Sequence, residues 1–199
     1  MISPYRLLDF PVVYKAAFGL LAPGMSAALV RMTKDLVSRG GLREPVLDVG
    51  CGPDSLLQRV GMDPVGVDIS PRYARALRER GLASVCASAE LLPFASGSFA
   101  TVWSLGLLHH LSDDLAQTAL AEMLRVAGGG DVVVIDAVLP HSAWSRPLAY
   151  AVRRLDRGGH VRTQAKHETL LPRSREYSLV RETCSAIGHE VTICHYQRR

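Results

Sequence analysis

An acid and two glycines follow one another closely at the end of an early apolar run. The run at 46–49 contains Asp48 and leads into Gly50 and Gly52, which lack a Cβ and let a ligand approach the backbone. A dinucleotide turn would need G-x-G-x-x-G to hold a pyrophosphate at a helix N-terminus. Asp54 would put negative charge at that place. The turn therefore suits a ligand with a cationic part, and the alternative is an ordinary strand-to-helix turn.

A second acid lies twenty residues after the first. Asp68 ends a short apolar run and precedes Ser70-Pro71, where serine is a good N-cap and proline fits the first helical position. Nucleotide-binding βαβ units place an acid at this distance, where it accepts hydrogen bonds from both ribose hydroxyls. We therefore predict that Asp68 binds a ribose. The alternative is an acid that ends a strand and contacts no ligand.

The segment Asp48-Val49-Gly50-Cys51-Gly52 resembles motif I of class I S-adenosylmethionine (SAM)-dependent methyltransferases, D-x-G-C-G-x-G. Asp54 stands where that family usually has a third glycine, which leaves the path of the turn open. SAM carries an ammonium, a sulfonium and a ribose. The resemblance implies cofactor contacts at Asp48, Gly50, Cys51, Gly52, Asp68 and the neighbouring Ile69.

A second stretch resembles the same family. Residues 88–94 and 97–99 are similar to its D-A-E-x-L-P-F and S-F segments. The family's first Asp contacts the adenine amino group, and here the neutral hydroxyl of Ser88 or the backbone of Ala89 would replace it. A second family acid is Ala100 in this chain. The resemblance assigns further cofactor contacts to Ser88, Ala89, Glu90 and, near the methionine part of SAM, Ser104.

Methyl transfer from SAM depends mainly on positioning, which can contribute roughly 7–11 kcal/mol, so it needs no conspicuous catalytic residue. His110 matches the family's apolar-His-apolar element and is the best candidate base, because imidazole accepts protons near neutral pH. The alternative is a structural histidine bonded to backbone. His109 is expected to face away. Asp136 is expected to end strand 5 facing the cleft and orient a substrate hydroxyl, or else to cap a helix.

Basic residues in a glycine-containing loop are candidate substrate contacts. Arg157, His160 and Arg162 could bind a carboxylate or phosphate, and the alternative is exposure without function. The four cysteines form no C-x-x-C pair and no metal-ligand spacing, so no metal is predicted. Cys51 is expected to be a small packing residue, and the thiols are expected to stay reduced in a cytosolic protein.

The elements that must position these residues indicate an α/β, doubly wound (Rossmann-like) fold. The resemblance implies a seven-stranded, mostly parallel sheet in the order 3-2-1-4-5-7-6, with an antiparallel final strand and helices on both faces. Strands are predicted at about 45–49, 64–68, 83–87, 100–104, 132–136, 177–184 and 191–196. Helices are predicted at about 26–38, 54–60, 71–80, 113–127 and 142–156.

A single SAM-dependent methyltransferase domain over 1–199 is predicted, without repeats or a second domain. Residues 1–40 would form an N-terminal helical cap, and an amphipathic contact with a membrane or partner is the alternative. Residues 45–140 would form the cofactor-binding core, and 141–199 the C-terminal substrate-side part. No signal peptide is predicted, and no apolar run approaches the ~20 residues of a membrane span.

Composition and charge limit the kinds of molecule that the chain could bind. The chain is 48% hydrophobic and 21% charged, which is ordinary for a globular protein. Residues 1–145 carry 12 Lys+Arg and 14 Asp+Glu, whereas 146–199 carry 11 and 5. The basic C-terminal quarter could attract an anionic substrate, a membrane surface or nucleic acid, or could simply be a solvated face. No aromatic-interleaved basic patch supports nucleic acid.

These observations predict a cytoplasmic enzyme that moves a methyl group from S-adenosylmethionine to a small, partly hydrophobic or anionic acceptor. Ser88 and Ala100, which replace the family acids, leave open a non-catalytic SAM-binding module acting through a partner. An RNA methyltransferase ranks lower, because no accessory RNA domain or Asn/Asp-Pro-Pro-aromatic motif is present.

Overall fold

A mixed eight-stranded sheet forms the centre of the computed structural model, which describes residues 24–139, 159–170, 177–186 and 189–198. The strands are β1 (Val46–Val49), β2 (Val65–Asp68), β3 (Ser84–Cys86), β4 (Thr101–Leu105), β5 (Asp131–Leu139), β6 (Arg162–Thr163), β7 (Tyr177–Ala186) and β8 (His189–Arg198). The described helices are α1 (Met25–Ser38), α2 (Leu56–Arg59), α3 (Pro71–Arg78), α4 (Asp113–Ala127) and α5 (Gln164–Leu170), with a 3₁₀ turn at Leu108–His110.

The main path of the sheet runs β3-β2-β1-β4-β5-β8-β7. Strands β1 to β5 pair in parallel, and β8 pairs antiparallel with both β5 and β7. The predicted fold class and strand order are confirmed, with β8 and β7 as the closing antiparallel pair. The carboxyl ends of β1, β2, β3 and β4 therefore meet at one edge, where ligands bind in such sheets.

The two-residue strand β6, which pairs with the end of β5, was not predicted from the sequence. β5 continues to Leu139, three residues beyond the predicted end, while its pairing with β4 stops at Leu105 opposite Ile135. The exposed edge beyond that point pairs in parallel with the two residues of β6. Sequence periodicity could not predict β6, because two residues are too few to show an alternating pattern.

Two cores lie on opposite faces of the sheet. On one face, α4 contributes Leu120 and Met123 and α5 contributes Leu170, packed against β1, β4 and β5. On the other, Leu29 of α1 and Leu57 of α2 surround the fully buried Trp103. The predicted helices on both faces are therefore present among the described residues.

Local sequence sets the ends of α4. The hydroxyl of Ser112 accepts from the Leu115 N–H at 3.5 Å, and Asp113 and Asp114 place negative charge in the first turn, where the helix dipole favours it. Gly128 ends the helix in the left-handed conformation with φ 54°. The predicted bounds of 113–127 are confirmed.

Other predicted bounds need correction. Helix α2 has four residues rather than the predicted seven. The Ser55 hydroxyl at its N-cap makes no capping bond and donates to Asp48. Helix α3 begins at Pro71 as predicted but ends at Arg78, two residues early. The predicted helix at 142–156 and the leading residues 1–23 lie outside the described residues. Within the described part of the chain, no helix combines the length and apolar character needed to cross a membrane.

The turn after α4 gives a stability test. A Cβ on Gly128 would collide with the Cα of Gly97, whereas a Cβ on Gly81, also at positive φ, would meet open space. We expect Gly81→Ala to cost about 1–2 kcal/mol of unfolding free energy, from the left-handed backbone alone. Gly128→Ala should cost about 1–3 kcal/mol more because of crowding, measured by urea unfolding. Equal losses in the two variants would contradict this packing.

Candidate cofactor cleft

A cleft opens at the carboxyl ends of β1, β2 and β3. Six of the ten predicted cofactor residues line it: Gly50, Asp68, Ile69, Ser88, Ala89 and Glu90. The other four do not line it. Asp48, Cys51 and Gly52 lie in or under the glycine turn, and Ser104 is buried at the end of β4.

The glycine turn is fixed by β2. The N–H groups of Gly50 and Cys51 both donate to the Val67 carbonyl, at 2.8 and 3.1 Å. Gly50 has φ 71°, and a Cβ there would lie 3.0 Å from Leu107 Cδ1. Gly52 has φ 62° with open space at its Cβ position. The turn therefore packs closely on the loop after β4 and presents open backbone at Gly52.

Asp68 holds the second turn to the first. Its Oδ2 accepts from the Gly52 N–H at 2.9 Å, and its Oδ1 accepts from the Ser70 N–H at 2.8 Å. Burial raises the pKa of this carboxyl, and the two backbone donors act in the opposite direction. The carboxylate is thus oriented at the end of β2 before any ligand arrives.

Asp48 lies beneath the turn rather than in the cleft. It is 2% exposed, and its Oδ2 accepts from the Ser55 hydroxyl at 2.5 Å. Burial raises the pKa of Asp48 to about 7, the Ser55 bond opposes the shift, and the charge of Asp68 adds to it. Near neutral pH the protonated and the ionised forms of this side chain are therefore both populated.

Two other residues of the glycine turn contact the surrounding structure, Cys51 by apolar packing and Asp54 through an ion pair. Cys51 packs with Leu77 and Leu82, and burial, with the charges of Asp48 and Asp68, raises the pKa of its thiol. The structure agrees with the expected packing role for Cys51. Asp54 forms an ion pair with Arg80, which offsets the negative charge expected at this turn.

Two apolar cleft residues were missed by sequence reasoning. Leu107 and Leu111 line the cleft from the loop after β4, on either side of the 3₁₀ turn. Val67 and Ala87, at the ends of β2 and β3, complete the lining. The available signal was the apolar run at 105–111, which we interpreted only as the setting for His110.

His109 does not line the cleft, and its side chain is buried in the fold. Its Nδ1 lies 2.6 Å from Asp136 Oδ1, and both side chains are buried. His110 is exposed, with its ring centroid 4.2 Å from that of His109, and its role as a base stays a prediction. The expected position of Asp136 was wrong, because β5 runs on to Leu139 and Asp136 is 1% exposed inside the fold.

Arg162 is not a free cation, contrary to expectation. Its guanidinium donates to Asp113 Oδ1 at 2.8 Å and to the carbonyls of Leu108 and Leu111 at 2.8 and 2.6 Å. Hydrogen bonds from Arg162 and then Lys166 lower the pKa of Asp113. Arg162 is 4% exposed, so it fixes the loop after β4 instead of reaching a substrate.

Of the two remaining predicted substrate residues, the structure describes His160 but not Arg157. His160 is exposed, and its backbone N–H donates to the His109 carbonyl at 3.1 Å. Arg157 lies outside the described residues. In the part of the chain that the structure describes, no group of three or more His, Cys, Asp or Glu side chains is arranged to hold a metal ion.

Comparisons with known proteins agree with this architecture. Residues 46–130 match the methyltransferase domain family. The chain is 31% identical over 119 residues to a 2-methyl-6-phytyl-1,4-hydroquinone methyltransferase from Synechocystis sp., covering 52% of this chain and 37% of that protein. It is 34% identical over 145 residues to a malonyl-[acyl-carrier protein] O-methyltransferase from Pseudescherichia vulneris, covering 65% and 57%. The chain thus spans between about a third and three fifths of these relatives' lengths.

Solved structures share the fold across most of the chain. A SAM-dependent methyltransferase from Thermotoga maritima superposes with a TM-score of 0.73 at 18% identity, covering 98% of this chain and 100% of that one. Geranyl diphosphate C-methyltransferase from Streptomyces coelicolor superposes at 0.63 with 14% identity, covering 87% and 79%. The sheet order and the cleft at its carboxyl edge therefore agree with the fold of these solved methyltransferases, and residues 46–130 match the methyltransferase domain.

Proposed function

We propose that this chain binds SAM in the cleft and transfers its methyl group to a small acceptor. The observation that carries the proposal is the Asp68 carboxylate, which two backbone N–H groups hold at the cleft wall. An acid so placed can accept hydrogen bonds from both hydroxyls of a ribose. Ser88 and Glu90 line the same cleft from the loop after β3.

The residues present fit the parts of SAM. Asp68 would hold the ribose, while Ile69, Ser88, Ala89 and Glu90 would border the adenine. Gly50, Gly52 and the buried Asp48 would lie nearest the cationic methionine part. The Ser104 hydroxyl is buried at the end of β4 without a hydrogen-bond partner among the described residues, so its hydrogen-bonding capacity is unused. We assign it to the methionine part.

SAM, when bound, supplies a methyl group already activated on a sulfonium. The chain's own residues then have to orient the acceptor and exclude water. Leu107 and Leu111 give the cleft an apolar wall that favours water exclusion. The free thiols of Cys51, Cys86 and Cys194 support a cytoplasmic setting for this chemistry.

The names of two relatives support the acceptor class. The hydroquinone and acyl-carrier-protein methyltransferases among the relatives, by their names, act on a hydroquinone and on a malonyl group. A small, partly hydrophobic or anionic acceptor fits both. Ser88 and Ala100, in place of the family acids, favour a second candidate, a SAM-binding module without turnover that acts through a partner.

Calorimetric titration of the full chain with SAM and with its demethylated product, S-adenosylhomocysteine (SAH), tests the function. We expect saturable binding of both ligands to one site. Radiolabelled methyl transfer to a panel of phenols, carboxylic acids and amines then separates an enzyme from a binding module. Absence of SAM and SAH binding at millimolar concentration would remove the proposal altogether.

Replacing the predicted ribose acid should weaken cofactor binding. Asp68→Asn loses charge-assisted hydrogen bonds worth about 1.5–3 kcal/mol, so the SAH Kd should rise roughly 10- to 100-fold. Asp63→Asn, an exposed acid just before β2, is the matched control and should keep the wild-type Kd. Thermal unfolding of both variants checks that the glycine turn stays folded. An unchanged Kd in Asp68→Asn would remove Asp68 from the site.

The buried Asp48 predicts a pH dependence of stability. Its folded pKa of about 7 exceeds its unfolded value of 3.8, so the native state binds more protons and loses stability as pH rises between those values. Asp48→Asn cannot ionise and avoids that loss. Between pH 5 and pH 8, the stability of Asp48→Asn relative to wild type should therefore increase by on the order of 2 kcal/mol in urea unfolding. A constant difference across this range would contradict the raised pKa.

A further inference from the structure

One guanidinium binds the loop that forms the apolar wall of the cleft. Arg162 is 4% exposed and donates from Nη1 to the Leu108 carbonyl at 2.8 Å and from Nη2 to the Leu111 carbonyl at 2.6 Å. Its Nε donates to Asp113 Oδ1 at 2.8 Å. These three acceptors lie in the 3₁₀ turn, just after it and at the first residue of α4. A single side chain therefore fixes residues 107–113, the corner between β4 and α4.

The contact depends on the shape of the arginine side chain. The planar guanidinium presents its N–H groups in a rigid fork, so it can bind several acceptors at once, whereas a lysine ammonium is a point charge on a flexible stem. The hydrogen bond to the carboxylate is charge-assisted and stronger than a bond between neutral groups. A buried cation is costly unless its donors are paired. The corner and Arg162 therefore stabilise each other's position.

The segment that carries Arg162, residues 159–170, is attached to the rest of the fold at several places. Strand β6, which contains Arg162, pairs in parallel with the end of β5. Leu170 of α5 is 3% exposed and belongs to the core beneath α4. Lys166 Nζ lies 3.2 Å from Asp113 Oδ2, which adds a second cation at the corner. No residue of this segment lines the cleft, so its contacts reach the cleft only through the corner.

The opposite side of the corner forms part of the cleft. Leu107 and Leu111 line it. Leu107 also packs against the glycine turn, because a Cβ on Gly50 would lie 3.0 Å from Leu107 Cδ1. Leu111 makes both kinds of contact, since its carbonyl accepts from Arg162 and the residue lines the cleft. A change in the corner would therefore move the apolar wall.

We propose that Arg162 is a positioning residue for cofactor binding, and that ligand binding in the cleft and docking of residues 159–170 on the corner favour each other. The inference rests on the proposed binding of SAM in this cleft. A ligand that contacts Leu107 and Leu111 binds best while the corner keeps the observed arrangement, which Arg162 holds. If the corner has this arrangement for only a fraction of the time, the apparent Kd rises by the inverse of that fraction.

Calorimetric titration of the full chain with SAH tests the positioning role. Arg162→Met keeps an apolar stem but has no donor, so the SAH Kd should rise roughly 10- to 100-fold, which corresponds to a correctly arranged corner for about 1–10% of the time. Arg162→Lys keeps the charge without the fork, so its Kd should lie between those of wild type and Arg162→Met. Equal Kd values for wild type and Arg162→Met would overturn the inference.

Two control variants separate positioning from a general loss of stability. Arg43→Met removes an arginine whose Nη2 lies 3.1 Å from Asp131 Oδ2, at the amino end of β5 and away from the cleft. Gly128→Ala crowds the turn at the far end of α4. Both should keep the wild-type SAH Kd at a temperature where thermal unfolding shows all variants to be folded. A Kd raised as much in Gly128→Ala as in Arg162→Met would attribute the loss to stability and overturn the positioning role.

Amide hydrogen exchange of the wild-type chain tests the reciprocal effect without any substitution. Because binding linkage is reciprocal, saturating SAH should stabilise the docked segment and slow exchange in α5 more than in α1, which packs on the opposite face of the sheet. Arg162→Met should lose this additional protection of α5. Equal protection of α5 and α1 in the wild-type chain would overturn the coupling, whether or not Arg162→Met folds.

The outcomes distinguish this inference from the proposed function. Failure of the wild-type chain to bind SAH would contradict the proposed function itself. Saturable SAH binding by wild type, with an unchanged Kd in Arg162→Met or without additional protection of α5, would overturn only the role of Arg162. A raised Kd in Arg162→Met that Arg162→Lys partly restores, together with the additional protection of α5, would support it.

Discussion

The carboxylate of Asp68 connects the turn after β1 with the turn after β2. One oxygen holds the glycine turn after β1 through the Gly52 N–H, and the other holds the start of α3 through the Ser70 N–H. The same group is the proposed ribose contact. The shape of the cleft and the recognition of its ligand therefore depend on a single side chain, so a change there affects both together.

A second constraint comes from the C-terminal part of the chain. The guanidinium of Arg162 donates hydrogen bonds to the carbonyls of Leu108 and Leu111, in and just after the 3₁₀ turn. The backbone N–H of His160 also donates to the His109 carbonyl. These contacts join residues separated by about fifty positions in sequence. The wall that Leu107 and Leu111 contribute to the cleft is thus held from behind by the segment after β5.

The part of the cleft formed by β1, β2 and the turns after them could be predicted because its signals are local. Asp48, the glycines and Asp68 lie within a single βαβ unit, where strand ends and turns follow from short patterns. Helix α4 was predicted to the residue because Ser112 and Gly128 mark its two ends. In each case the residues that determine the geometry are neighbours in the chain.

The loop after β4 and its surroundings depend on contacts between residues far apart in the chain, which no local sequence pattern shows. Asp136 meets His109 across 27 positions, and Arg162 meets Leu108 across 54. An arginine in a glycine-containing loop looks the same in sequence whether it is exposed or buried. The length of β5 likewise depends on β6 and β8, which pair with it from far along the chain.

The cysteines differ in a way that has a practical consequence. Cys86, at the end of β3, is exposed and directly precedes Ala87 of the cleft, whereas Cys51 and Cys194 are buried. Among the thiols whose surroundings the structure describes, a maleimide dye would therefore attach at Cys86. A fluorophore there would lie next to the cleft wall at Ala87, beside the proposed adenine contacts.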